Sequence, residues 1–153
     1  NFEGKDNFQK KINLAKKYDD SVLIERFIPG KEITVPIINK RCLKPIHIIP
    51  EGEFYDFEAK YVSSETKYLE YAIGSEKLET LNNLVINAYE LVGAENWGRI
   101  DIIYDGEDYF FIELNSVPGM TETSLVPKSS DLSGISYLEL LESIMDDALA
   151  KEA

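Results

Sequence analysis

The sequence contains few residues that could bind zinc or form disulfide bonds. Its 153 residues include one cysteine, Cys42, and one histidine, His47. A single cysteine excludes an internal disulfide, and the two residues together rule out a zinc site built from cysteine and histidine alone. Both lie in apolar strand patterns, which favours buried structural roles. One cysteine also fits a reducing compartment, so we expect a cytoplasmic protein.

Long apolar runs and clustered positive charge are also absent. No run approaches the roughly 20 apolar residues of a membrane span. The first residues, NFEGKDNFQKK, have no apolar core or cleavage site of a signal peptide. With 28 acidic against 16 basic residues, the net charge of −12 argues against a nucleic-acid surface. We therefore expect neither a membrane nor a nucleic acid as partner.

The composition is that of one globular domain, and apolar periodicity predicts helices and strands in mixed order. Helices are predicted over residues 6–17, 76–92 and 137–150, and strands over 21–28, 32–40, 42–50, 98–104 and 109–115. This order predicts an α+β (mixed α/β) domain with a largely antiparallel sheet and flanking helices. Pro36 and Pro45 inside the strand patterns indicate edges or bulges. Residues 51–74 are aromatic without a clear period, which is typical of a long functional loop.

Helix boundaries and buried faces follow from capping residues and spacing. Ser75 is a candidate N-cap and Gly93 a stop signal for the second long helix, and Ser136 with Glu139 predicts a capping box for the last one. The predicted buried faces are Leu78, Leu81, Leu84, Val85, Ala88, Leu91 and Val92 in the first of these helices, and Leu138, Leu141, Ile144, Met145 and Ala148 in the other.

Four polar residues share one face of a predicted hairpin between residues 97 and 116. Side chains alternate along a strand, so Arg99 and Asp101 share a face of the first strand, as do Glu113 and Asn115 of the second. If Asp101 lies opposite Glu113, then Arg99 lies opposite Asn115. The alternate positions are apolar: Ile100, Ile102, Tyr104, Phe110, Ile112 and Leu114.

This register predicts the loop of the hairpin. It requires an odd-length loop, such as Gly106 to Asp108 closing on Asp105 and Tyr109. The loop after the second strand, NSVPGMTETSLVP, leaves from the strand end that carries Asn115, and functional groups concentrate on such loops.

The polar face of this hairpin suits a divalent cation and an anion. Magnesium takes carboxylate and amide oxygens, which Asp101, Glu113 and Asn115 offer. Arg99 beside them suits a phosphate or carboxylate. A solvated sheet face with ordinary salt bridges is the alternative, because surface strands often alternate in this way.

A second polar constellation lies around the first predicted turn. Glu25 precedes residues 26–28, and Glu32 follows Pro29 and Gly30. A strand edge there could offer backbone groups to a purine, and an acid could hold ribose hydroxyls. A polar hairpin end without a ligand is the alternative.

Taken together, four motifs resemble the C-terminal half of the D-alanine–D-alanine ligases, members of the ATP-grasp superfamily. They are VLIERFIPGKEITV, FYDFEAKYVSSET, WGRID and FIELNSVPGMTETSLVP, in that order. The resemblance covers about residues 22–148. It implies residues 1–50 as the remainder of the central (lid) subdomain. Residues 51–153 would then be the C-terminal subdomain with a mobile loop over 51–74.

The resemblance also implies roles for individual residues. Arg99 would contact the transferred phosphate and the oxyanion, with Lys60, Tyr61 and Ser124 as further catalytic residues. The implied ATP contacts are Glu25, Phe27, Ile28, Glu32 and Phe54; the metal ligands are Asp101, Glu113 and Asn115, holding two Mg²⁺ or Mn²⁺ ions; and the contacts to the second D-alanine are Gly119, Ser124 and Leu125. Ser116 and Leu114 depart mildly from the family pattern.

The implied activity is ATP-dependent joining of two D-alanines for peptidoglycan precursors, in a full-length enzyme that forms homodimers. Because the family's first substrate-binding domain is not in this sequence, we expect a fragment that cannot ligate alone. Two alternatives remain: an ATP-grasp ligase that joins D-alanine to another acceptor, which Lys60 and Tyr61 disfavour, and a non-catalytic acidic metal-binding module. The last predicts that Asp101, Glu113 and Asn115 do not converge in space.

Overall fold

The computed structural model describes residues 5–50 and 66–150. These residues form helices α1 (Lys5–Ala15), α2 (Ser75–Leu91), α3 (Leu125–Leu132) and α4 (Tyr137–Ala150), and strands β1 (Lys31–Ile38), β2 (Arg41–Cys42), β3 (Ile46–Ile49), β4 (Lys67–Glu70), β5 (Trp97–Tyr104) and β6 (Tyr109–Asn115). In this part of the chain, no helix is long and apolar enough to cross a membrane. The predicted α+β class is confirmed.

One antiparallel sheet organises the domain. Its strand order is β4-β3-β1-β5-β6, and β2 pairs with the far end of β1. Pro36 lies in the central strand β1, between the segments that pair with two different strands. The pairing of β1 with β3 ends at Thr34, and its pairing with β2 begins at Ile37. The missing N–H of Pro36 therefore falls in a gap of the ladder rather than at the predicted edge. Pro45 directly precedes β3.

The two faces of the sheet pack against different helices. The face toward α2 buries a cluster that includes Ile33, Val35, Ile37, Leu81, Val85, Tyr89, Ile100 and Ile102. On the other face, Val126 of α3 and Leu140 of α4 pack against Ile38, and Leu125 packs against Ile46. This second face is only partly apolar, and it carries the polar hairpin residues.

The strand predicted over residues 21–28 is wrong. Residues 22–29 have no regular secondary structure, and no strand among the described residues pairs with them. Leu23 is 82% exposed, and Ile24 and Phe27 are more than half exposed. A run of β-formers becomes a strand only where it finds a neighbour for its backbone groups and a face to bury.

Two elements were missed in predicted loops. Residues 67–70, inside the loop predicted over 51–74, form β4 against β3, and residues 51–65 lie outside the described part of the chain. Residues 125–132, predicted as loop, form α3. This short helix contains Pro127 in its first turn, where proline is tolerated because that N–H would be unpaired anyway.

The predicted buried faces of the long helices are partly wrong. In α2 the buried residues are Leu81, Val85 and Tyr89, whereas Leu91 is 86% exposed and Val92 66%. The predicted apolar face of α2 was too wide, because only the side of the helix that faces the sheet is buried. In α4 the buried residue is Leu140, and the predicted Leu138 and Met145 are exposed.

Helix ends follow the sequence signals more closely. Ser136 N–H and Oγ–H both donate to Glu139 Oε2, at 2.8 and 2.6 Å, and Glu139 N–H donates to Ser136 Oγ, so the capping box is confirmed. These bonds lower the pKa of Glu139. Gly93 has a φ of +69°, as its stop signal requires. Ser75 is the first helical residue and Gly74 the N-cap, so that assignment was off by one.

The α2 core offers a matched pair of substitutions. Leu81 is fully buried and Leu84 of the same helix is 40% exposed. We expect Leu81→Ala to lower the free energy of unfolding by about 2–5 kcal/mol, because it opens a cavity, and Leu84→Ala to cost clearly less. Urea denaturation followed by circular dichroism measures both. Equal losses would contradict the packing of α2 described above.

Cys42 gives a second test of the same core. Burial raises the pKa of its thiol to about 12, and the side chain packs against the α2 cluster. Since the thiolate is the reactive form, we expect slow reaction with a disulfide reagent at pH 8 in the folded protein and fast reaction in guanidinium.

The same thiol predicts a pH dependence of stability. Because the folded state resists ionisation of Cys42, the free energy of unfolding should fall as pH rises above the unfolded thiol pKa of 9.0.

Candidate active site

The polar hairpin has the register that alternation predicts. Arg99 lies opposite Asn115, and Asp101 lies opposite Glu113. The predicted odd-length loop is wrong, because Tyr104 pairs with Tyr109 and four residues, 105–108, connect the strands. The two facts are reconciled by a β-bulge.

The bulge lies in β6 at Ile112. Ile102 pairs with Phe111 while Asp101 pairs with Glu113, which leaves Ile112 as the extra residue. Phe110 therefore lies opposite Ile103, on the polar face, and the predicted apolar row of Phe110 and Ile112 is wrong. Ile112 is 51% exposed.

The Asp101 carboxylate is the centre of the polar face. Arg99 forms a bidentate salt bridge with this carboxylate, called the Arg99 fork below. Its Nε donates to Oδ1 at 2.9 Å and its Nη2 donates to Oδ2 at 2.8 Å. Asp101 is 4% exposed and the Arg99 side chain 14%. A paired geometry of this kind fixes both planar groups and offsets part of the cost of burying the charge.

Thr34 of β1 completes the contacts to Asp101, and sequence reasoning missed it. It lies directly opposite Asp101 in the β1–β5 pairing, and its Oγ1 donates to Asp101 Oδ1 at 2.6 Å. The residue is fully buried. A threonine within the apolar run of β1 was a usable signal once β1 had been set against β5.

Asn115 connects the carboxylates of Asp101 and Glu113. Asn115 Nδ2 donates at 3.3 Å both to Asp101 Oδ2 and to Glu113 Oε1. The scatter expected of a non-catalytic module is therefore not observed. The described residues contain no group of three histidine, cysteine or acidic side chains suited to a metal ion, but two carboxylates joined by a side-chain amide, whose oxygen is a further ligand once the amide rotates, fit the oxygen preference of magnesium.

The loop after β6 is built around Ser124. Ser124 Oγ accepts from Thr121 N–H at 3.1 Å and lies 2.8 Å from Thr121 Oγ1. A Cβ added to Gly119 would lie 2.9 Å from Ser124 Oγ, so a larger residue there would require the Ser124 side chain to move. Lys128 Nζ donates to Thr123 O at 2.7 Å and lies over the Tyr68 ring. Hydroxyls and an ammonium thus border the first turn of α3.

Leu125 has a different setting from its predicted neighbours. Its side chain is 7% exposed and packs with Ile46 and Ile48. Contact with a substrate would therefore fall to its backbone.

The residues predicted to contact a nucleotide lie beside the polar face or outside the described chain. Glu32 occupies the same face of β1 as Thr34, two residues earlier. Next to Glu25, the Arg26 guanidinium lies 5.3 Å from the centroid of the Phe110 ring, which is on the polar face. Glu25 and Phe27 are exposed and Ile28 is half-buried. Phe54, Lys60 and Tyr61 lie outside the described residues.

A cavity of about 450 Å³ lies elsewhere. It is lined by residues that include Asn39, Glu90, Glu95 and Asp147, and by none of the hairpin's polar residues. The cavity is therefore not the place where the predicted site residues meet.

Cys42 and His47 are also away from this cavity. Cys42 packs in the α2 core, and His47 makes an edge contact with Tyr71. Burial and Lys31 lower the pKa of His47.

The sequence is similar to those of a known protein family. Residues 1–146 match the family described as D-ala D-ala ligase C-terminus. The D-alanine–D-alanine ligase of Actinobacillus succinogenes is 45% identical over 143 residues, which are 92% of this chain and 47% of that protein. The corresponding ligase of Haemophilus influenzae is 42% identical over 140 residues, 90% of this chain and 47% of that protein.

Solved structures agree as well. The D-alanine–D-alanine ligase of Bacillus anthracis complexed with ATP has a TM-score of 0.82 at 32% identity, covering 97% of this chain and 49% of that one. The ligase of Coxiella burnetii, at 21% identity and a TM-score of 0.81 over 98% of this chain and 40% of that one, supports the fold alone.

The chain thus spans about half the length of the curated relatives it matches. Family match, relatives and structures agree with the resemblance carried by the four sequence motifs. The chain belongs to the family of D-ala D-ala ligase C-terminal domains.

Proposed function

We propose that the protein joins two D-alanines to D-alanyl-D-alanine at the expense of ATP, through an acyl phosphate, for peptidoglycan precursors. The observation that carries the proposal is the arrangement on the β5–β6 hairpin. There the Arg99 fork on Asp101 lies beside Glu113 and Asn115. Family membership gives this arrangement its chemistry.

In the first step, a carboxylate oxygen of one D-alanine attacks the γ-phosphorus of ATP, and ADP leaves. Negative charge builds on the phosphoryl oxygens during this transfer, so fixed positive charge lowers the barrier. Arg99 supplies that charge, and its fork on Asp101 fixes the plane of the guanidinium before the substrates bind. No protein side chain acts as the nucleophile.

Asp101, Glu113 and Asn115 are the residues that would hold Mg²⁺ or Mn²⁺, two ions in the proposed enzyme. Bound there, the cations would neutralise phosphate charge. Asn115 would present its amide oxygen to a cation, whereas in the structure its amide nitrogen donates to both carboxylates. Rotation of the side-chain amide exchanges the two atoms.

In the second step, the amine of the second D-alanine attacks the acyl carbon. The tetrahedral oxyanion then collapses, phosphate leaves, and the amine loses its proton. Arg99 again stabilises the oxyanion. Gly119, Ser124 and the backbone at Leu125 receive this second substrate, because hydroxyl and N–H donors at the start of α3 suit its carboxylate.

The nucleotide contacts are proposed for the side of the sheet where β1 begins. Glu32 lies on the site face and would hold ribose hydroxyls, with Glu25 and the residue 27–28 backbone near adenine. Phe54, Lys60 and Tyr61 complete the proposal as the adenine-packing aromatic and the pair that closes the site.

The whole protein is proposed to act in the cytoplasm as a homodimer, with residues 1–50 and 51–153 in two ATP-grasp subdomains. The acceptor is the finer question. A ligase that joins D-alanine to D-lactate or D-serine is the second candidate, and Lys60 with Tyr61 favours D-alanine as acceptor.

The acceptor can be tested directly. The full-length protein is incubated with ATP, D-alanine and an equal amount of D-lactate or D-serine, and the products are separated by mass. We expect D-alanyl-D-alanine as the main product in both mixtures. A depsipeptide as main product would favour the second candidate and leave the first half-reaction intact.

The acidic residues of the hairpin give a matched test of the active site. Glu113 lies on the site face, and Glu107 lies in the exposed turn of the same hairpin. We expect Glu113→Gln to lower kcat for D-alanine-dependent phosphate release about 100-fold or more, because the cation that would neutralise the phosphate charge loses a carboxylate ligand. Glu107→Gln should match the wild type.

Mass analysis of the dipeptide accompanies the phosphate assay. Circular dichroism shows whether each variant is folded. Equal rates for the two variants, both folded, would contradict the placement of the active site on this hairpin.

A further inference from the structure

Thr34 is a fully buried hydroxyl in the central strand of the sheet. Its chain neighbours, Ile33 and Val35, are also fully buried and face the α2 core. A buried hydroxyl costs free energy unless it is hydrogen-bonded, and the partner of this one is the Asp101 carboxylate at 2.6 Å. The short distance is that of a bond to a charged acceptor.

The donors to Asp101 divide between its two oxygens. Oδ1 accepts from Thr34 Oγ1 and Arg99 Nε, and Oδ2 accepts from Arg99 Nη2 and Asn115 Nδ2. Because Asn115 Nδ2 also reaches Glu113 Oε1, Oδ2 is the oxygen on the side of Glu113. Thr34 therefore holds the carboxylate from the side of β1, and the proposed cation ligands lie on the other.

The donors differ in how firmly they are held. The terminal torsion of an aspartate is soft, so hydrogen bonds decide the plane of its carboxylate. Arg99 pairs with both oxygens and aligns the two planar groups with each other, but its guanidinium is carried on a long side chain and is also proposed to contact substrate. Asn115 is proposed to turn its oxygen to the cation. Thr34 is β-branched, stiff about χ1 and set in the central strand, so its side chain has the least rotational freedom of these three donors.

We propose that Thr34 is a positioning residue, whose hydroxyl fixes the carboxylate plane of Asp101 so that Oδ2 is presented, beside Glu113 and Asn115, to the divalent cation. The inference rests on the proposed function, which makes Asp101 a metal ligand. Thr34 itself touches neither cation nor substrate. Residues that hydrogen-bond to a metal ligand set the metal affinity by orienting that ligand.

Two variants separate the hydroxyl from the shape of the side chain. Thr34→Val keeps the branched shape and removes the donor, and Thr34→Ser keeps the donor. The Kd for Mn²⁺ is measured on the full-length protein by the electron paramagnetic resonance signal of free Mn²⁺. We expect Thr34→Val to raise this Kd about 10–100-fold and Thr34→Ser to stay near the wild type.

Ile33→Val is the control for a purely structural effect. It removes one buried methylene from the same strand on the opposite face, so it should lower Tm and leave the Kd for Mn²⁺ unchanged. An increase in Kd equal to that of Thr34→Val would overturn the inference, as would failure of serine to restore the affinity.

Crystal structures of the metal-free variants give a readout that needs no cation. We expect the Asp101 carboxylate to be rotated in Thr34→Val and unchanged in Thr34→Ser. An unchanged plane in Thr34→Val overturns the inference. A wild-type protein that does not bind Mn²⁺ contradicts the metal assignment of the proposed function, whereas tight binding by both wild type and Thr34→Val contradicts the role of Thr34 alone.

Discussion

The pairing of β1 with β5 is the interaction on which the rest of the structure depends. It runs without a break from Lys31 opposite Tyr104 to Ile38 opposite Trp97. Because side chains alternate, one register decides both faces: the α2 core on one side and the contact of Thr34 with Asp101 on the other. A slip by one residue would turn the Asp101 carboxylate into the α2 core.

The bulge at Ile112 solves a second problem of register. A four-residue connection fixes Tyr104 opposite Tyr109, and a regular ladder from there would place Glu113 opposite Ile100, on the core face. One extra residue in β6 restores Glu113 to the face of Asp101. Bulges that re-aim a side chain are frequent next to active sites, and this one lies directly beside the acidic pair.

Alternation and capping predicted the parts of the molecule whose determinants are local. The pairs Arg99 with Asn115 and Asp101 with Glu113 were predictable from a period of two, and α4 from its capping box. Thr34 was not, since its role depends on a strand 67 positions away. Residues 21–28 had the composition of a strand, but no strand of the described sheet pairs with them. Tertiary context thus decided what propensity left open.

The carboxylate of Asp101 is a nearly buried charge at the centre of the domain, and its presence needs an explanation. A buried ion pair adds little net stability, because its desolvation offsets its attraction, and apolar residues of similar volume often serve as well. Asp101 is buried on the face of β5 opposite the apolar Ile100 and Ile102, so a charge occupies a position where burial favours an apolar residue. Departures of this kind from the local pattern concentrate at functional sites. The salt bridge between Arg99 and Asp101, which Thr34 contacts from the side of β1, is therefore better explained by the groups that it positions than by the stability that it adds.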